Sequence, residues 1–292
     1  MTLNNKNGDL YGTIGEFEDV TTLCSAAEQI RDAGYSKWDC HTPFPVHGLD
    51  DSMGIKMTKL PWFVLVMGAG YIIGGIRSSL IVGSLILFIA LSEYWDRALI
   101  TAYMATFAVG VSAVLGIVVG SICARNELST KLILSVCDFF QTFPSFIYLI
   151  PVILLFGITD TSVMIAAIAY ATVPATRYTV EGLRSVPPSL HDAASMSGVS
   201  NLQRLTSIEL PLAFPHIMLG INQTVIFALF MVILGALIGT EDLGQIIMGS
   251  LSRPGGAGIG LTLGIFVSFI CLAVDNLIRT WADERKKLLG IE

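Results

Sequence analysis

"HDAASMSGVSNLQRLTSIELP", residues 191–211, lies between hydrophobic stretches that are long enough to cross a bilayer. Its first part favours a short helix over Leu190–Met196, because alanine is the strongest helix former. Gly198 follows, and glycine is the residue type that most often stands just beyond a helix end. The stretch therefore predicts a short, terminated helix outside the membrane segments.

A second short helix is predicted for "SNLQRLTSIEL", with Ser200 or Asn201 as its N-cap. We expect this helix to end at Pro211, where the next membrane segment begins. Together the two helices form a helix-turn-helix along the membrane surface, and their small side chains permit close approach by another protein. An ordinary amphipathic connector is the alternative interpretation.

The composition is that of an integral membrane protein. Of 292 residues, 53% are hydrophobic and only 14% are charged, whereas a soluble domain averages about a quarter charged residues. Residues 1–60 carry 9 acidic and 5 basic side chains. We therefore predict an acidic head at 1–60, a junction of two short hydrophobic segments at 61–97, and a transmembrane domain at 98–285.

A membrane-spanning helix needs about 20 apolar residues. The clear candidates are Ala98–Ile122, Leu132–Ile158, Ser162–Thr176, Leu212–Ile238 and Gly258–Ile278. An earlier apolar run is interrupted by Gly74, Gly75 and Arg77, and it divides into Pro61–Gly75 and Ser78–Leu91. The first of these is short for a span. If it spans, the head is external; if it is re-entrant or interfacial, the head is cytoplasmic.

Basic residues indicate the orientation, because cytoplasmic loops carry an excess of lysine and arginine. With alternating helices, three basic groups fall on one side of the membrane. They are Arg125/Lys131, Arg177/Arg184/Arg204 and Arg279/Arg285/Lys286/Lys287. The loop 177–211 and the C-terminus are therefore predicted to be cytoplasmic.

The loop resembles the "EAA" coupling motif of ABC-importer permeases, with aspartate where that family most often has glutamate. The matching positions are Asp192, Ala193, Ala194, Gly198, Ile208, Leu210 and Pro211. The resemblance implies that this loop docks into a groove on a cytoplasmic ATPase and transmits closure of the nucleotide dimer. We expect the aspartate at the N-terminal end of its helix, where the helix dipole favours a carboxylate.

Residues 78–285 are similar to the permease subunit of glycine betaine/proline betaine (ProU-type) importers, in "CDFFQTFPSFIYLIPVILLFGI", "RSVPPSLHDAA", "LPLAFPHIMLGINQT" and "DLGQIIMGSLSR". The resemblance implies an all-α polytopic protein with the type I ABC importer permease fold. It also implies quaternary ammonium substrates, a permease homodimer in lipid, an external binding protein, and a partner ATPase that binds the ATP and magnesium. No Walker A motif, catalytic triad or nucleic-acid-binding pattern is present, and His41 and His47 lack companions at metal-ligand spacing.

Polar residues at lipid depth are candidates for the substrate pathway. Asp138 and Gln141 share a helix face, whereas Asn222 and Gln223 point about 100° apart, so at most one of that pair faces a pore. Alternatively, Asp138 lies near the cytoplasmic interface and is paired, and the amides hydrogen-bond between helices.

Two further expectations concern the external mouth and substrate selection. Glu241 and Asp242 lie at the predicted external mouth, where they either attract a cationic group or a binding protein, or form a solvated loop pair. Trimethylammonium groups are recognised by aromatic cages. We expect no compact Trp/Tyr cluster in the permease core, so high-affinity selection is assigned to the external binding protein.

The head predicts a compact α/β unit: a strand and turn in "YGTIGEFED", a helix in "VTTLCSAAEQIRDAG", and a strand that runs into a rigid proline-containing turn in "YSKWDCHTPFP". Residues 10–75 resemble the N-terminus of the D subunit of alternative complex III, a quinol-oxidising respiratory complex in which a two-helix membrane hairpin follows the head. That subunit carries no recognised redox cofactor. The similarity stops near Gly75, so the chain resembles a join of two families.

Three functions compete at this point. The first is the permease half of a compatible-solute importer, which is not itself an enzyme and lies in the bacterial inner membrane. The second is a membrane-anchored structural subunit of alternative complex III. The third is a sensor in which the head reports ionic strength or membrane state to the permease.

Overall fold

The computed structural model describes residues 2–4, 10–55 and 59–289, and it divides into two units, 1–60 and 61–292. In the first unit, strands β1 (Thr2–Asn4) and β2 (Leu10–Thr13) pair antiparallel. Helices α1 (Val20–Asp32) and α2 (Leu49–Met53) follow. The Arg31 guanidinium donates hydrogen bonds from Nη1 to the carbonyls of Asp51 and Ser52, at 3.1 and 3.2 Å, and so joins the two helices.

The expected compact α/β head is not supported. Within the described part of the head, the strands contact mainly each other and the helices contact mainly each other. The strand predicted at the start of residues 35–45 is wrong: this segment is irregular, and Trp38 Nε1 donates to the carbonyl of Tyr35 at 2.8 Å. The chain bends at Pro43 and Phe44, where the proline-containing turn was predicted.

The second unit is helical. Its helices are α3 (Leu60–Ala90), α4 (Trp95–Cys123), α5 (Glu127–Thr142), α6 (Leu149–Phe156), α7 (Asp160–Arg184), α8 (Pro188–Met196), α9 (Asn201–Arg204), α10 (Leu210–Leu234), α11 (Leu243–Leu251) and α12 (Ala257–Leu289). The predicted spans at 98–122, 162–176, 212–238 and 258–278 lie within α4, α7, α10 with its 3-10 extension, and α12. Side-chain caps start several of them; Asn126 and Thr159 cap α5 and α7.

Helix α3 folds back on itself at Gly74 and Gly75. Gly75 has φ +65° and ψ −161°, a backbone conformation that other residues rarely adopt. Ser79 Oγ donates to the carbonyl of Met67 at 2.9 Å, although residues twelve apart in a straight helix are about 18 Å apart. The two predicted segments are therefore the arms of one helical hairpin.

The whole of α3 is long and apolar enough to be a candidate span, but each arm of the hairpin taken singly is short for one. Each arm of about 15 residues extends about 22 Å, which is less than the roughly 30 Å hydrocarbon core. Ser78 Oγ donates to Asn276 Oδ1 at 2.7 Å, and Phe88 meets Phe266 at 5.5 Å between ring centroids. The second arm thus packs antiparallel to α12, with its tip near the C-terminal part of that helix.

A cross-link would test the hairpin directly. The variant Met67→Cys/Gly83→Cys is expected to form a disulfide on mild oxidation, because a Cβ built on Gly83 lies 2.9 Å from Met67 Cγ. In a straight helix these positions are about 24 Å apart, beyond disulfide reach. Mobility on non-reducing gels after cleavage between the arms is the measurement. The pair Met67→Cys/Leu91→Cys is the control, and failure of the first pair to cross-link would contradict the hairpin.

The span predicted at 132–158 is broken. Helix α5 ends at Thr142, and a 3-10 turn over Ser145–Tyr148 leads into α6 at an angle of 107°. Phe143 has φ −73° and ψ 139°, because a residue before proline is displaced from the helical region by the ring of Pro144. The break therefore has a local steric cause.

Close contacts at small residues show that α4 and α7 run parallel. A Cβ on Gly116 would lie 2.3 Å from Ala175 Cβ, and a Cβ on Gly120 would lie 2.7 Å from Thr179 Cβ; small residues allow this approach between membrane helices. Parallel α4 and α7 require that α5 and α6 together return the chain across the bundle. The loop after α7 and the chain after α4 consequently share one face of the bundle.

The end of α12 lies on that same face, because Trp281 meets Phe214, near the start of α10, at 5.6 Å between ring centroids. The three basic groups of the sequence therefore occupy one side, as the alternating arrangement requires. The buried core between α4, α7, α10 and α12 is rich in alanine, with leucine and valine next in number.

Candidate functional site

The loop 177–211 folds as a helix-turn-helix. Helix α8 covers the predicted helix and begins two residues earlier, at Pro188. At its end, the amide of Val199 donates to the carbonyl of Ala194 and that of Gly198 to Ser195, each at 3.2 Å. This is a Schellman motif, and it places Gly198 at φ +68°. The glycine is required by the backbone conformation.

The second helix begins as expected and ends differently. Ser200 caps α9 through a capping box with Gln203. The prediction that this helix ends at Pro211 is wrong, because one π turn over Leu205–Glu209 joins α9 to α10 without interruption. Proline removes an amide donor and crowds the carbonyl four residues earlier, and the wider π turn relieves this conflict.

The outer surface of the loop carries exposed apolar groups. Met196 is 92% exposed and Leu202 is 67% exposed, while Ala194 is buried. Asp192 and Ala193 are exposed. Asp192 is the fifth residue of the nine-residue α8, so the expectation that it lies at the helix N-terminus is wrong. Ile208, Leu210 and Pro211 are half-buried and anchor the loop to α10.

A charged group missed by the sequence reasoning ties the loop together. Glu209 is buried, and its Oε1 lies 3.1 Å from His191 Nδ1 and 2.8 Å from Arg204 Nε. The Arg204 contact is an ion pair without hydrogen-bond alignment. One carboxylate thus joins α8, α9 and the π turn. A lone glutamate before "LP" in an otherwise apolar sequence was the available signal.

Arg177 connects two helices on the predicted pathway. Its Nη1 lies 2.5 Å from Asp138 Oδ1 and 3.3 Å from Gln141 Oε1, and its Nε lies 3.0 Å from Glu181 Oε1. Asp138 is therefore paired, as the alternative interpretation proposed, and Gln141 belongs to the same cluster. The arginine holds the end of α5 against α7.

A cavity of about 430 Å³ adjoins this cluster, and it is lined by Gln141, Pro174, Arg177, Tyr178, Glu181, Gln223 and Phe227. Gln223 lines the cavity, whereas Asn222 is buried, and its Oδ1 accepts no hydrogen bond from the described residues. Of the four predicted pathway residues, the structure brings Asp138, Gln141 and Gln223 together and directs Asn222 elsewhere.

An aromatic cluster extends from this cavity, and the expectation that the permease has none is wrong. Tyr170 stacks on Phe227 at 4.7 Å between ring centroids, and Tyr148 meets Tyr170 at 5.1 Å. The Tyr148 hydroxyl donates to the carbonyl of Phe140 at 2.6 Å. Because these rings come from α5, α7, α10 and the 3-10 turn, their separation in the sequence conceals the cluster.

The acidic pair at the predicted external mouth separates into two environments. Glu241 is exposed, and its Oε2 lies 3.3 Å from Arg97 Nη1. Asp242 is completely buried and caps α11 by accepting a hydrogen bond from the amide of Gln245 at 3.1 Å. The solvated-pair interpretation is therefore wrong for Asp242. Loss of hydration on burial raises the pKa of Asp242 to about 6 from an ordinary value of 3.8.

This raised pKa predicts how stability changes with pH. Its contribution is complete below pH 3.8 and is lost as the pH rises through about 6, because the folded protein then holds an unfavourable buried charge. Asp242→Asn keeps a capping side chain and is expected to gain about 1 kcal/mol relative to the parent protein between pH 5 and pH 7.5. Thermal unfolding in detergent measures this difference, with Glu241→Gln as control. If the stability difference between Asp242→Asn and the parent protein were the same at pH 5 and at pH 7.5, the prediction would be contradicted.

Comparison with known families distinguishes two parts of the chain. Residues 116–286 match the family described as "Binding-protein-dependent transport system inner membrane component", which is more than half of the chain. Residues 11–94 match "Alternative complex III, ActD subunit". The second similarity therefore includes the hairpin. The expectation that this similarity stops near Gly75 is wrong.

Individual relatives are transport permeases. The chain is 66% identical over 237 residues to the trimethylamine N-oxide transport system permease protein TmoV of Pelagibacter ubique. This match covers 81% of this chain and 33% of TmoV. It is 31% identical over 193 residues to the glycine betaine transport system permease protein OpuAB of Bacillus subtilis, which covers 66% of this chain and 68% of OpuAB. The chain spans about a third of the length of TmoV.

The extent of the TmoV similarity bears on the apparent join. A match to 237 of 292 residues must begin at or before residue 56, so the hairpin is part of the region shared with that permease. The structure also resembles the MetNI methionine ABC transporter in an inward-facing conformation, with a TM-score of 0.58 and 17% identity, over 68% of this chain and 99% of that one. This likeness shows the type I importer fold.

The inner-membrane family match, the candidate spans and the fold agree with one another. The chain belongs to the family of binding-protein-dependent transport system inner membrane components.

Proposed function

We propose that this chain is the permease subunit of an ATP-driven importer of compatible solutes with methylated amine groups, such as trimethylamine N-oxide, glycine betaine or choline. The names of its relatives support this substrate class. A partner ATPase binds ATP and magnesium, an external binding protein delivers the substrate, and the permease works as a homodimer in the lipid bilayer.

The observation that carries the proposal is the exposed surface of the loop 177–211. Met196 and Leu202 are large apolar side chains that remain 92% and 67% exposed; Met196 lies outside the candidate spans, and Leu202 is the second residue of the candidate span Asn201–Ile238. Exposed apolar groups at the end of a membrane helix mark protein contact sites. Glu209 and the Gly198 turn hold the two short helices in one geometry. The loop can therefore transmit movement of a docked ATPase to α7 and α10.

The substrate path is assigned to the cavity beside Arg177. The ring of Phe227 offers a surface that attracts a methylated ammonium group through cation–π interaction, while Arg177 donates to the oxide or carboxylate of a zwitterionic substrate. Gln141 and Gln223 supply further hydrogen bonds. Asp138 and Glu181 both pair with the arginine, so the cluster has one more carboxylate than cations, and this excess negative charge favours a cationic ammonium group.

Purification of the tagged full-length chain from its native membrane, with identification of the proteins that accompany it, tests the proposal. We expect an ABC ATPase, with or without a binding protein. A second candidate function, a structural subunit of alternative complex III, is favoured by the match of residues 11–94. Recovery of haem-bearing and iron–sulfur subunits without an ATPase would establish that candidate and refute the importer proposal.

Substrate class is tested by uptake in cells that express the complete system. Labelled trimethylamine N-oxide uptake should be inhibited by unlabelled trimethylamine N-oxide and betaine, and methionine at the same concentration is the control. Equal inhibition by methionine would contradict the methylated-amine assignment.

A further inference from the structure

A second cavity, of about 400 Å³, lies where the C-terminal ends of α4 and α7 meet the loop 177–211. It is lined by Ser121, Ala124, Arg125, Leu183, Arg184, Val186, Pro188, His191, Arg204 and Glu209. The cavity is separate from the one assigned to the substrate, with which it shares no lining residue. It lies on the face of the bundle that the basic residues predict to be cytoplasmic.

The charges around this cavity do not balance. Three arginines line it, and Glu209 is the one carboxylate among its lining residues. That carboxylate is already shared by His191 and Arg204. Arg125 and Arg184 are exposed, and they form no ion pair with any residue in the described ranges 10–55 and 59–289.

The dipoles of α4 and α7 offset part of the positive charge of the arginines that line this cavity, but not all of it. The C-terminal end of a helix attracts cations, with an effect equivalent to roughly half a negative charge. The ends of α4 and α7 therefore offset about one of the positive charges, and Glu209 offsets another. About one of the three positive charges of the arginines then remains without compensation.

A buried hydroxyl also lacks a partner at this place. Ser121 is buried, and its Oγ makes no hydrogen bond to any described residue, although hydroxyls enclosed in this way are normally satisfied. Ser121 lines the same cavity as the unpaired arginines. An oxygen-rich anion would satisfy the hydroxyl and the guanidinium groups together.

We propose that this cavity binds a phosphate group, supplied either by inorganic phosphate or by the headgroup of an anionic phospholipid. Arginine forks match phosphate oxygens in bidentate geometry, and Ser121 donates a further hydrogen bond. Basic pockets at the cytoplasmic ends of membrane helices suit anionic headgroups. The bound phosphate joins the ends of α4 and α7 to Arg204, and through Glu209 to the coupling loop.

The test compares the full-length permease with the variant Arg125→Gln/Arg184→Gln. In neutral phosphatidylcholine nanodiscs, inorganic phosphate is titrated at constant ionic strength and the thermal midpoint is measured. In a second arm, native mass spectrometry counts phosphatidylglycerol retained against phosphatidylcholine. We expect the double variant to lose roughly tenfold or more in affinity for the phosphate source that binds. Lys286→Gln/Lys287→Gln removes the same charge elsewhere on this face and is the control.

The two arms distinguish the sources: a response to inorganic phosphate assigns a soluble anion, and selective phosphatidylglycerol retention alone assigns a lipid headgroup. Ser121→Ala keeps every charge and is expected to weaken phosphate binding as well. It therefore tests the proposal even if the double arginine variant fails to fold. The proposal is overturned if wild type and variants respond alike in both arms. It is also overturned if the variants weaken only binding of the partner ATPase, which would assign the cavity to a protein carboxylate.

Discussion

Replacing Gly198 with leucine is expected to reduce substrate-stimulated ATP hydrolysis by the reconstituted transporter about 5- to 30-fold. Gly198 has φ +68° at the C-terminal turn of α8, a conformation that costs other residues about 1–2 kcal/mol, which corresponds to that range of populations. No atom lies within 4 Å of a Cβ built there. The change therefore acts on the backbone turn, and insertion into the membrane should be unaffected.

Two further variants distinguish the effect of the positive φ at position 198 from the effect of adding a large side chain. Gly198→Asn adds a side chain that tolerates positive φ, so it should retain most of the coupling. Ser197→Leu adds the same bulk as the leucine variant at a position with φ −82°. ATP hydrolysis with and without binding protein and substrate is the measurement. Normal stimulation in Gly198→Leu would count against the assignment of the coupling loop.

Replacing Arg177 with methionine is expected to lower the initial rate of substrate uptake by roughly tenfold to a hundredfold. Methionine removes the cation that Asp138, Gln141 and Glu181 share. Each of these three partly exposed contacts contributes up to about 1 kcal/mol, and their joint loss also releases the end of α5 from α7. The variant also removes the donor assigned to the oxide or carboxylate of the substrate.

Lys131→Met provides a matched control. It also removes one cation, from α5, but that cation makes only an exposed i,i+4 contact with Glu127 of the same helix. Such surface pairs contribute about 0–1 kcal/mol, so uptake should change little. Both variants must co-purify with the partner ATPase to be compared. Parental uptake by Arg177→Met would show that the cluster is dispensable for transport.

Features carried by local sequence were largely predictable. The short helix in 190–196, the Gly198 turn and the Ser200 cap follow from residue preferences within a few positions, and the spans follow from apolar length. Errors arose where a neighbouring element decided the outcome. Pro211 did not end a helix, because a π turn accommodated its ring, and Asp242 was not solvated, because the fold buries it as the N-cap of α11.

The sequence by itself determined that this is a polytopic membrane protein with its basic residues on one face and a helix-turn-helix in the loop 177–211. These properties depend on composition, on apolar length and on spacing within one loop. The tertiary structure decided that α3 is a hairpin, that Arg177 unites Asp138 with Glu181, and that Tyr148, Tyr170 and Phe227 form one cluster. Each of these needs a turn or a packing contact between distant segments, because helices separated in sequence meet only when the bundle closes.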